Sequence, residues 1–77
     1  MNDLPVSRSL TTWLALLNDE GALLLHPGQH HKKLVDGANA LHRAQIINQA
    51  DLGDLLEQAD GALAYAVEAL LDEGYGE

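Results

Sequence analysis

The chain has no cysteine and no phenylalanine, only three aromatic residues (Trp13, Tyr65 and Tyr75), two prolines and four Lys or Arg side chains. The missing cysteines exclude disulfides and thiolate metal sites, and they suit a reducing compartment. Four bases stand against twelve acids. Direct nucleic-acid binding is therefore not expected, because most of the surface would repel a phosphate backbone. Long apolar runs are also missing. The longest, Ala62 to Val67, is far short of the roughly 20 residues that a membrane-spanning helix needs. Met1 to Ser9 has no basic segment followed by a long apolar one, so a signal peptide is not expected. These absences lead to the expectation of a soluble, cytoplasmic protein without membrane contact.

What is present is a short chain of 77 residues, read as a single domain over 1–77. Burial at about 25 cal/mol per Å² roughly cancels an ordering cost of about 1.5 kcal/mol per residue at this size. Such chains often gain stability from a partner subunit, and a homo-oligomer is expected here. The net charge is −8, and its layout is informative. Met1 to Leu25 carries Asp3, Asp19 and Glu20 against Arg8, and His26 to Gln45 carries Lys32, Lys33 and Arg43 against Asp36. From Ile46 to Glu77 the eight charged residues are all acids. A mildly basic middle is thus followed by a wholly acidic C-terminal segment.

Hydrophobic spacing predicts an all-α fold, a small three-helix domain with a long acidic amphipathic C-terminal helix. Leu10, Trp13, Leu14 and Leu17 fall at i, i+3, i+4 and i+7, which places a helix at about 8–20. Ser7 or Ser9 is expected to cap it and Gly21 to stop it. Ala22-Leu23-Leu24-Leu25 is too short for a period to show and reads as an apolar connector. Pro27 suits a first helical position, and His31, Leu34, Val35, Ala38 and Leu41 share one face of a second helix, about 28–45. Ile46-Ile47 reads as the turn into the third.

That third helix, about 49–73, is the strongest signal. Asn48 three residues before Asp51 is a capping-box variant. Leu52, Leu56, Ala59, Leu63, Ala66 and Leu70 recur at 4-3-4-3-4 spacing, a heptad seam widened by Leu55, Ala62, Val67 and Leu71. Gly74 and Gly76 are expected to end it. The seam is longer than the first two helices need, so a homodimer through Leu56, Leu63, Ala66 and Leu70 is expected. Asp54, Glu57, Glu68 and Asp72 lie off the seam as an acidic contact face. Two fragments, Asp36 to Leu41 and Asp60 to Tyr65, are alike. The match reads as coincidence, with close helix approach at Gly37 and Gly61 as the alternative.

Motifs that would name a chemistry are sparse. His26 and His30 are one turn apart and His31 adjoins, a spacing that zinc or nickel can use. Pro27 and Gly28 interrupt it, however, and the Glu of a metalloprotease helix motif is absent. The histidines, including His42, therefore read as solvated residues beside Lys32 and Lys33, and no cofactor is expected. Ser7, Ser9, Thr11 and Thr12 read as helix-start residues rather than nucleophiles. Trp13 reads as core. Tyr65 lies opposite the seam, where it could anchor a contact. The expected function is a non-catalytic protein-interaction module, regulatory or adaptor in kind, with a protein partner. One alternative is an acidic mimic of nucleic acid that inhibits a DNA- or RNA-binding protein. A second is a histidine-dependent metal-binding protein.

Overall fold

The computed structural model describes residues 5–75, with side chains described over 9–72. Four helices follow one another: α1 (Pro5–Leu17), α2 (Glu20–Leu25), α3 (Pro27–Arg43) and α4 (Gln49–Tyr75). The fold is all-α, and the long C-terminal helix is present. α3 and α4 share the largest interface and run antiparallel as a hairpin, with α1 and α2 packed against them.

Four helices rather than three follow from the chain's behaviour at Asn18 and Asp19. Asn18 turns its side-chain amide back to the Leu14 carbonyl at 2.9 Å and so closes α1. Asp19 then caps a new helix, its carboxylate accepting the Ala22 N–H at 3.2 Å. The segment read as a connector is therefore helical. Its Leu23 reaches the interior, which an exposed connector could not offer. Gly21, expected as a stop, lies inside α2. Ser7 and Ser9 lie within α1 rather than ahead of it, because the helix already runs from Pro5, a residue suited to a first turn.

The α3–α4 junction is built from two capping devices. At the end of α3, the Gln45 N–H donates to His42 O and the Ile46 N–H to Leu41 O, both at 2.9 Å. Gln45 sits at φ 64. This is a Schellman motif with glutamine at the left-handed position, where glycine is usual. It stops the helix at Arg43, short of the expected 45. Asn48 and Asp51 then form the reciprocal capping box read from the sequence. The Asp51 N–H donates to Asn48 Oδ1 at 2.8 Å, and the Asn48 N–H donates to Asp51 Oδ2 at 3.2 Å. At the other end, Gly74 lies within α4, whereas Gly76 falls outside the described residues.

The core is Trp13, Leu34, Ala38, Leu41, Ile47, Leu52, Leu55 and Ala59. Its tightest approach is at Gly37, where an added Cβ would stand 3.0 Å from Trp13 Cδ1. The indole cannot give way, because it is buried and its Nε1–H donates to the Leu34 carbonyl at 2.9 Å. α3 answers in kind, since His30 Nε2–H donates to the Leu16 carbonyl at 2.7 Å. Two side chain-to-backbone bonds, one from each helix, thus fix α1 on α3. Of the two glycines in the matching fragments, only Gly37 serves close approach. Around Gly61 a Cβ would meet nothing within 4 Å.

These differences give opposite expectations for the same substitution. Gly61→Ala gains helix propensity and raises unfolding free energy by about 1 kcal/mol. Gly37→Ala gains the same propensity but overpacks the indole, and a net loss of about 1 kcal/mol or more is expected in urea unfolding. Equal effects at the two sites would contradict the packing described. Gln45→Gly relieves left-handed strain and should raise stability by about 0.5 kcal/mol, even after the added freedom of the unfolded chain. A lower melting temperature in that variant would refute the cap.

Candidate protein-docking surface

Two side-chain latches fix how far α4 is held by the rest of the chain. His31 Nε2 lies 2.8 Å from Asp60 Oδ1, joining α3 to the middle of α4. Tyr65 donates its hydroxyl to Glu20 Oε2 at 2.6 Å, joining α4 to the first turn of α2. Negative charge beside the phenol raises the Tyr65 pKa above its ordinary 10.0, through the hydrogen bond to Glu20 first and its charge second. Just beyond, Ala66 is fully buried. No residue after it is buried among the described side chains.

The seam residues therefore divide. Leu52, Ala59 and Ala66 are enclosed by the chain's own helices, while Leu56 and Leu63 are half-buried. Of the residues expected at an interface, Leu56, Leu63, Ala66 and Leu70, only Ala66 is fully buried within the chain. Past it, Val67, Leu70 and Leu71 are 46%, 39% and 54% exposed. They fall at i, i+3 and i+4, the anchor spacing of a helix that docks into a groove. Val67 and Leu71 read from the sequence as mere widening of the seam. Their off-heptad position was the available signal that a second face begins there.

Asp54, Glu57, Glu68 and Asp72 are all exposed. They lie along one side of α4, but the interval from Glu57 to Glu68 is roughly 16 Å at about 1.5 Å per residue. The row is thus two separated pairs rather than an even ladder. Glu68 borders the apolar anchors at the free end and Asp72 lies behind them, whereas Asp54 and Glu57 belong to the part of α4 that the other helices hold.

The histidines do not converge. His30 is 3% exposed and points to α1, with Nδ1 lacking a hydrogen-bond partner, so it is a core residue rather than a solvated one. His31 points to α4, and His26, where α2 meets α3, is exposed. Among the described residues no group of three or more His, Cys, Asp or Glu side chains could hold a metal ion. Nor is any helix there long and apolar enough to cross a membrane.

A second surface lies between α1 and α3. It is a groove of about 540 Å³ lined by Trp13, Gly37, Leu41, Leu16 and Ile46, with Ser9 and Thr12 on its α1 side and Lys33, Ala40 and Ala44 on its α3 side. Lys33 and Arg43 are exposed and make no ion pair among the described residues, whereas Lys32 is engaged with Asp36 at 2.9 Å. No family model matches this chain, and comparison with curated proteins and with solved structures found no match. Its two surfaces are therefore read from their own chemistry.

The Tyr65–Glu20 latch has a defined pH signature. A raised phenol pKa means that folding favours the neutral form. The contribution is fully present below 10.0 and is lost as pH rises through the higher folded value. Ultraviolet titration, with Tyr65→Phe subtracted to remove Tyr75, should place the Tyr65 midpoint above 10.0. Glu20→Ala should move it back towards that value. A midpoint indifferent to Glu20 would show that the latch does not form.

Proposed function

We propose that this chain is a non-catalytic protein-interaction module, regulatory or adaptor in kind, that associates with a second copy of itself through the free end of α4. The observation that carries this reading is the apolar triplet Val67, Leu70 and Leu71, exposed on a helix that continues past its last buried residue, Ala66. An apolar strip on a rigid helix is a natural contact surface, and one bordered by Glu68 with no base nearby favours a partner face that is apolar with a basic edge. α3 carries such an edge in Lys33 and Arg43, which makes another copy of the same chain a fitting partner. The absence of cysteine suits a reducing compartment, and we place the protein in the cytoplasm.

No catalytic constellation competes with this reading. The one buried histidine has its Nε2 committed to a backbone carbonyl, and the α1–α3 groove, although lined in part by Ser9 and Thr12, has no acid or histidine among its described lining residues to activate those hydroxyls.

Sedimentation tests the proposal. The wild-type chain should exceed its single-chain mass of 8.3 kDa as concentration rises towards millimolar. The double variant Val67→Asp, Leu71→Asp should remain a single chain, with helical content unchanged because both positions are exposed. A wild type that stays at single-chain mass throughout would refute self-association.

A further inference from the structure

The α4 end needs a receptor, and the α1–α3 groove fits it in length, polarity and charge. Along α3 the groove runs from Lys33 to Ala44, about 16 Å at 1.5 Å per residue. From Leu63 to Asp72 the C-terminal part of α4 measures about 13 Å on the same scale. Trp13, Gly37 and Leu41 give the groove an apolar centre, Ser9 and Thr12 line its α1 side, and Ala40 and Ala44 on the α3 side offer only methyl groups. Small side chains on that side let a second helix approach closely, as a row of larger residues would not. The incoming helix offers Leu63, Val67, Leu70 and Leu71, positioned to face such a centre.

Charge gives the fit a direction. Glu68 borders the anchors on the Leu71 side of α4 and has no base nearby in sequence, since Ile46 to Glu77 contains none. Lys33 lies on the groove, and Arg43 adjoins Ala44 at its far end. Both are exposed and without an ion pair among the described residues. Asp36, the acid closest in sequence to Lys33 on α3, is engaged with Lys32. A chain cannot fill its own groove this way. α4 is one continuous helix from Gln49 to Tyr75, so its end cannot turn back across α1 and α3.

We infer that the α1–α3 groove is the receptor for the α4 end of a second copy, so that association joins two different surfaces rather than two α4 seams. This inference rests on the self-association reading above and specifies its geometry. A contact between unlike surfaces closes into a pair if both chains engage reciprocally, and otherwise extends head to tail. In either case one copy's groove and another's helix end must both be intact.

The experiment uses the full chain and two kinds of variant. Ala40→Glu, with Ala44→Glu as an independent second, places an acid and added bulk at the exposed edge of the groove. Leu71→Asp disables the helix end. Each variant alone should lose self-association by about tenfold or more in sedimentation. Mixed together, Ala40→Glu and Leu71→Asp should recover a two-chain species and stop there, because the mixture retains one working groove and one working helix end. Lys33→Glu should weaken wild-type association, and pairing it with Glu68→Lys should restore part of the loss. If both groove variants associate like wild type while Leu71→Asp does not, the contact is between α4 helices. The groove inference then fails while the self-association reading stands. If the wild type never associates, both fail.

Discussion

The fold depends on the seating of one indole. Among the described residues Trp13 is the only aromatic one in the core, and it carries α1 onto α3 by filling the space that Gly37 leaves open. Its N–H finds the Leu34 carbonyl, so the ring is buried without leaving a donor unsatisfied, a requirement for any buried tryptophan. The His30 bond to Leu16 completes the junction from the other side. With α1 fixed, the groove beside it has a defined floor. Without Gly37 the ring would stand off, and both the core and the groove would change shape. A small chain with so few large side chains has few other means of holding α1 in place.

α4 has two parts with different roles. From Leu52 to Ala66 it is the wall against which the other helices close, and His31–Asp60 and Tyr65–Glu20 tie it at its middle and near the end of the wall. After Ala66 no described side chain is buried, and only Ala69 is half-covered. The molecule is correspondingly elongated, with extents of 51 × 25 × 15 Å. Helix continuity matters here, because a rigid extension holds its apolar anchors in register at little entropic cost on binding, which a flexible tail would not do.

Much of this was legible in the sequence where a local rule and the hydrophobic period agreed. The Asn48/Asp51 capping box, Pro27 at the start of α3 and the leucine-alanine repeat of α4 all lie where periodicity and end signals coincide. α2 was not legible, because six residues are too few to show a period and Asp19 looked like the end of one helix rather than the cap of another. The α3 stop at Gln45 was hidden because glutamine occupies a position where glycine is the usual signal. His30 was misread for a related reason. A histidine next to His31 and two lysines looks solvated in sequence, yet only a quarter turn of helix separates the face towards α1 from the face towards solvent. The split of the seam at Ala66 left only the off-heptad positions of Val67 and Leu71 as a sign, since it depends on how far the other helices reach along α4. A repeat shows which face is apolar, but how much of that face is covered is set by the lengths and placement of its neighbours.

The charge distribution bears on how two such chains could meet. Both copies carry −8, so at long range they repel, and non-specific association of the exposed leucines is suppressed. Close contact is favourable only where an acidic surface meets a basic one, and within this chain the exposed bases are confined to α3 among the described residues. Placing two α4 ends side by side would leave Glu68 at the rim of each copy with no base to meet, since this part of the chain carries none. Placing one α4 end beside Lys33 and Arg43 gives Glu68 a base to meet while burying the same apolar side chains. Apolar area alone does not distinguish these arrangements, because Val67, Leu70 and Leu71 would be covered in both. The charges at the rim do, which is the usual division of labour between hydrophobic contact and electrostatic selection at a protein interface.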